Sequence, residues 1–204
     1  MNLKIATIVI IVIMIAMIVF RAVAKRVIYT KLHNYIAEEN YDAFFKLANG
    51  GLANVLFPDY NLNYTKLNAY LMQGDVEKVN STLETMLQYP LSHKQRVDLV
   101  VKAFNIYIGE GNKARSREMM GEILNWEGDE YKSLKADCLR SYDIMILKKS
   151  NHIDELANLL PKTSGAVRGR LEYFIALQYE NANNLEKRDE YLKLASEDGF
   201  KLMR

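Results

Sequence analysis

Residues Asn61 to Pro90, NLNYTKLNAYLMQGDVEKVNSTLETMLQYP, constrain the fold most, because they read as two short amphipathic helices hinged at Gly74-Asp75. Leu67, Tyr70 and Leu71 fall at i, i+3 and i+4 on the first helix, and Val76, Val79, Leu83, Met86 and Leu87 form one stripe on the second. An isolated hairpin of this kind cannot bury both the face between its helices and the face they jointly present. Stacking further copies solves the problem, and the rest of the chain supplies them. The first unit runs from Ile28, Leu32, Tyr35 and Ile36 through a Glu39-Asn40 turn to an irregular LANVLF segment ending at Pro58. A third carries Val97, Val100, Val101, Phe104 and Tyr107, then a Gly109 to Asn112 turn, then Met119, Met120, Ile123 and Leu124. A fourth places Leu134, Cys138, Tyr142, Ile146 and Leu147 before a Ser150-Asn151 turn. The fifth carries Leu171, Phe174, Ile175 and Tyr179 before a turn at Asn181 to Asn184, with Phe200 and Leu202 placed to pack back on its closing helix.

The turn residues set a period. Asn40, Asp75, Asn112, Asn151 and Asn184 are spaced by 35, 37, 39 and 33 residues. A tyrosine stands five positions before four of them, at Tyr35, Tyr70, Tyr107 and Tyr179, whereas the fourth unit has Ile146 at that offset and Tyr142 one helical turn earlier. A large side chain recurring at one repeat position reads as packing.

On the period and on LNAYLMQGDVEKV, where Leu67, Tyr70, Gly74-Asp75 and Val79 sit at motif positions, the chain resembles the tetratricopeptide-repeat family over about residues 28–200. The family's early Trp is absent from every unit. The resemblance implies an all-α, right-handed solenoid of about five helical hairpins over residues 27–204, and a ligand groove lined by the first helix of each hairpin. By the family's pattern the groove positions are Tyr64, Asn68, Leu71 and Met72, then Val101, Asn105 and Ile108, then Ser141, Met145 and Lys148, then Tyr173 and Leu177. Asn68 and Asn105 share a register in which a side-chain amide can both donate to and accept from an extended peptide backbone. The paired cations of the family's chaperone-tail clamp are missing beside Asn68.

Ahead of the repeats, after a short tail at 1–4, Ile5 to Phe20 holds no charge, and Thr7 is its single polar residue. Eleven of these residues are Ile, Val or Phe, a sum of about 3 to 7 kcal/mol in favour of the bilayer. Sixteen residues rise about 24 Å, and continuing through Ala22-Val23-Ala24 reaches about 30 Å with Arg21 snorkelling, so 5–24 is read as one transmembrane helix. Ala22-Val23-Ala24 has the form of a signal-peptidase site, but Arg21 directly after the apolar run is a stop-transfer flank. Lys4 precedes the run and Arg21, Lys25, Arg26 and Lys31 follow it, which places the body of a single-pass protein in the cytoplasm.

Composition narrows the partners. Five of the 27 cations and none of the 25 acids lie in residues 1–31, leaving a mildly acidic body with 22 Lys and Arg against 25 Asp and Glu. No basic block with interleaved aromatics suggests nucleic acid. Cys138 can form no internal disulfide. His33, His93 and His152 fall in three different units without metal-ligand spacing, and the acidic pairs Glu38-Glu39 and Asp129-Glu130 flank turns or helix starts. Gly109-Glu110-Gly111 lacks the strand, third glycine and Lys-Ser/Thr of a phosphate loop. The expectation is therefore a membrane-anchored adaptor that binds a protein or peptide, with no metal, cofactor, small-molecule substrate or catalysis. The rival readings are an outward-facing, chaperone-like envelope factor and an enzyme whose site has no recognisable motif.

Overall fold

The computed structural model describes residues 3–200, with side chains described from Ile10. Among the described residues the chain is all-helical, without strands. It divides into two compact units, residues 1–90 and 91–204.

Unit 1 contains α1 (Leu3–Ala37), α2 (Tyr41–Ala48), α3 (Gly51–Leu56), α4 (Asp59–Gln73) and α5 (Val76–Leu87). The first of these runs without a break from the apolar segment into the first hairpin. Its residues Ile28 and Leu32 join Phe44 and Ala48 of α2, Ala53 of α3, and Leu62 and Ala69 of α4 in one buried cluster. The α4/α5 pair is the Asn61 to Pro90 hairpin, with Leu67, Val79, Leu83 and Met86 buried and Val76 exposed at the start of its helix.

Among the described residues no helix is long and apolar enough to cross a membrane. From Ile10 only eleven uncharged residues precede Arg21, against about 20 for a span. The expected tail at 1–4 and the side chains of Ile5 to Val9, which complete the apolar run, lie outside the described residues.

Unit 2 contains α6 (His93–Gly109), α7 (Lys113–Asn125), α8 (Lys132–Met145), α9 (Ile153–Ala157), α10 (Gly165–Asn181) and α11 (Leu185–Glu197), with short 3-10 turns at Asp129–Tyr131 and Leu160–Lys162. A capping box of Ser92 and Gln95 starts α6, and Arg96 grips Glu122 of α7 with two hydrogen bonds of 2.7 and 2.6 Å. Phe200 stacks on Tyr173 with ring centroids 5.0 Å apart, closing the end of α11 against α10. Leu202 lies outside the described residues.

Four hairpin corners are built the same way. The backbone N–H of Asn40, Asp75, Asn112 and Asn184 donates to the carbonyl of Tyr35, Tyr70, Tyr107 and Tyr179, at 2.8, 3.0, 2.8 and 2.8 Å. The residue just before each turn residue is left-handed: Glu39, Gly74, Gly111 and Asn183, with φ of 54, 74, 68 and 57°. This six-residue closure satisfies a carbonyl orphaned at the end of the first helix. The same Asn or Asp then caps the second helix, its side chain accepting from the backbone N–H of Ala43, Lys78, Arg115 and Lys187. One residue thus ends one helix with its backbone and starts the next with its side chain.

The fourth corner is wider. The N–H of Leu147 donates to Tyr142 O and that of Lys149 to Asp143 O, with Lys148 left-handed at φ 55°. His152 precedes α9 without a side-chain cap, so α10 supplies the missing partners. Gln178 Oε1 accepts from the His152 N–H at 2.7 Å, and Asn181 Nδ2 donates to the carbonyls of Ile144 and Lys149 at 3.0 and 3.1 Å.

Gly74 and Gly121 give opposite signs for one substitution. At Gly74 the left-handed φ makes alanine strained, whereas Gly121 lies inside α7 with open space where a Cβ would stand. In chemical denaturation of the full chain in detergent, Gly74→Ala is expected to lose about 1 kcal/mol and Gly121→Ala to gain about 0.5–1 kcal/mol. Equal shifts of either sign would contradict the corner geometry.

Candidate binding cleft

The first helices of the three hairpins in unit 2 converge on one cleft of about 320 Å³. Val101 and Asn105 come from α6; Leu134, Asp137, Cys138, Arg140 and Ser141 from α8; Val167, Arg170, Leu171 and Phe174 from α10. Each set is a run at spacings of three and four on a single helix, so one face of each first helix is turned toward the same space.

The polar groups differ in how far they are already committed. Arg140 is held by Asp137 at 2.8 Å and by Glu155 of α9 at 2.6 Å. Burial alone would lower its guanidinium, but the hydrogen bonds to Glu155 and Asp137 outweigh that and raise it. Asn105 Nδ2 donates to Val101 O one turn back, leaving its side-chain oxygen as an acceptor. The Ser141 side chain is buried. Arg170 is exposed, with its guanidinium carbon 5.5 Å from the Phe174 ring centroid, and among the described residues no carboxylate pairs with it. Arg170 therefore stands without a salt-bridge partner at the edge of a cleft that it shares with Asp137.

The Cys138 thiol is buried, and burial first, then the Asp137 charge, push it up to about 11 against the weaker opposing effect of Arg170. A neutral thiol is a poor nucleophile. Outside the cleft, His93 meets the Tyr131 hydroxyl at 2.7 Å, and His152 lies between Asp143 and Glu155, 3.1 Å from each. Burial opposes the charge on Asp143, yet hydrogen bonds from Lys149 and His152 hold its carboxyl below the ordinary range. This cluster ties α8 to α9. Among the described residues no group of His, Cys, Asp and Glu is placed to hold a metal ion.

The positions expected to bind are dispersed. Val101, Asn105 and Ser141 line the cleft. Ile108 is only 5% exposed and belongs to the core. Met145, Tyr173 and Leu177 pack on the buried cluster of Ile144, Leu156, Phe174 and Ile175. Lys148 lies beyond the end of α8, because that helix closes at Tyr142, and is a left-handed loop residue. Tyr64, Asn68, Leu71 and Met72 all stand on α4 in unit 1; the first three are half-buried and Met72 is 58% exposed. Arg170 was not among the expected positions. Its sequence signal is the i, i+4 relation to Phe174, which puts the cation and an aromatic face on one side of α10.

In comparisons with protein-family models, curated proteins and solved structures, none matches this chain.

The raised Cys138 implies about 100-fold less thiolate than an ordinary cysteine at neutral pH. Because a thiolate of higher pKa is also the stronger nucleophile, reaction with a small water-soluble aromatic disulfide is expected to be slower by at least about tenfold in the folded chain than in denaturant. Equal rates would mean that the thiol is open to solvent.

Proposed function

We propose that the chain is a single-pass, membrane-anchored adaptor whose tetratricopeptide-like hairpins hold an extended segment of another protein. The observation that carries the binding half is the cleft: three consecutive first helices present an apolar floor, a side-chain amide and an unpaired guanidinium in one place. Peptide recognition needs these elements, with side-chain pockets for selection and polar groups for the backbone. The preferred segment carries an aliphatic or aromatic side chain beside an Asp or Glu, since Arg140 is already neutralised by Asp137 and Glu155 while Arg170 is not.

The anchoring half rests on the uncharged Ile5 to Phe20 run and on the exposure of its described part, from 45 to 67% for the large side chains of Ile10 to Phe20. A side chain that no protein group covers over eleven consecutive positions is suited to lipid. The cations after Phe20 favour a cytoplasmic body.

The test uses the full chain in lipid nanodiscs against a synthetic peptide library. Enrichment of Asp or Glu next to a large apolar residue is expected. Arg170→Glu is expected to weaken those peptides about 10- to 150-fold, the range of one charge-assisted hydrogen bond, and to shift enrichment toward Lys or Arg. An unchanged motif after charge reversal would remove the cleft from the function.

A further inference from the structure

We propose that α3, together with the turn of α1 beside it, is a second membrane contact that seats unit 1 on an anionic bilayer surface. This inference rests on the anchoring half of the proposed function and adds a lipid-facing surface to it. The first observation is height along α1. Ala53 of α3 shares a buried cluster with Ile28 of α1, and Lys25 Nζ stands 5.5 Å from the centroid of the Phe57 ring at the end of α3. With a rise of about 1.5 Å per residue, Lys25 lies about 1.5 Å and Ile28 about 6 Å beyond Ala24, the end of the span. The headgroup layer on each side of a bilayer is about 5–8 Å deep. If the apolar run spans the hydrocarbon, α3 is fixed at the level of the headgroups.

The second observation is what α3 displays there. Leu52 is 53% and Val55 68% exposed, although this helix has only six residues and buries little beyond Ala53. Leu52 and Val55 stand at i, i+3 on one face of α3, and at the headgroup–acyl boundary burial of such a pair drives partitioning.

Charge supplies the third observation. Lys25 and Arg26 flank the contact, and no acid occurs before Glu38. On α1 the collar beside these apolar groups is cationic, with the exposed Asp59 at the start of α4 the acid that follows α3, and each α1 cation adds to attraction for anionic lipid within a Debye length of the surface. Tyr29, exposed on α1 one turn beyond Lys25, has the amphipathic ring suited to the same layer.

The experiment places a fluorescent label on the full chain through Met14→Cys, Val55→Cys or Met72→Cys, reconstituted in vesicles of equimolar phosphatidylcholine and phosphatidylglycerol. The unsubstituted chain, whose one cysteine is buried, serves as the blank. Quenchers are lipids with a deep or a shallow nitroxide, and aqueous iodide. The expected result is deep-lipid quenching at position 14, shallow-lipid quenching at 55 at least about threefold that at 72, and its loss in phosphatidylcholine alone. Quenching at 14 with position 55 as open to iodide as position 72 overturns the α3 contact and leaves the anchor standing. No lipid quenching at 14 overturns the anchor and this inference with it. Position 55 shielded from both lipid and iodide identifies a protein contact and overturns the lipid assignment. Undiminished quenching at 55 without phosphatidylglycerol overturns the anionic preference.

Discussion

The structure depends on a single interaction repeated at four helix corners, in which an Asn or Asp backbone N–H closes on a tyrosine carbonyl five residues earlier. A helix that ends in a left-handed residue leaves in a fixed direction, and a side chain that immediately caps the next helix fixes where that helix begins. The angle between the two helices of a hairpin is therefore set by local backbone chemistry before any tertiary contact forms. Glycine supplies the left-handed residue at Gly74 and Gly111, but Glu39 and Asn183 adopt it despite their Cβ. Asn tolerates this conformation better than most residues, while Glu39 carries a steric cost that the closure to Tyr35 and the Asn40 cap offset.

Once the corners fix the hairpins, the faces of the first helices have a defined destination. In unit 2 they meet in the cleft, where Arg140 is paired both from within, by Asp137 of α8, and from outside, by Glu155 of α9, while Arg170 packs on the Phe174 ring. The wider corner, between α8 and α9, is held by Gln178 and Asn181 of α10 and by the Asp143, Lys149 and His152 cluster. Cleft wall and corner support are thus carried by the same helix. Phe174 and Arg170 serve the cleft, and Gln178, one turn further on, serves the corner.

Much of this was legible in the sequence because the relevant physics is local. The turn residues at 40, 75, 112 and 184 announce themselves as Asn or Asp, and the five-residue offset of the tyrosines is the hydrogen-bonded ring of the corner. The backbone fixes which position closes the corner, and packing explains the tyrosine there, as with Tyr70 on Phe45 at 4.4 Å and Tyr179 on Tyr191 at 5.6 Å. The fourth unit's offset tyrosine is explained in the same terms, since α8 closes on Tyr142 and the residues that follow form a longer loop. The cleft was less legible. Helical periodicity places Ile108 and Lys148 beside Asn105 and Ser141, yet it cannot say that Ile108 is covered by neighbouring helices or that α8 ends before Lys148. Asp137, three residues before Arg140 on the same helix, is a partner the sequence shows, whereas Glu155, which α9 brings to Arg140, is not.

Amide hydrogen exchange at the corners tests the central claim most directly. The four closing N–H groups, those of Asn40, Asp75, Asn112 and Asn184, sit in turns where exchange is ordinarily fast. If the closures carry the hairpins, they exchange only with the helices they join, at protections comparable to the middle of α4, α6 and α10. Exchange at the rate of an unstructured peptide, with the helices themselves still protected, would show that tertiary packing holds the hairpins and that the corners follow.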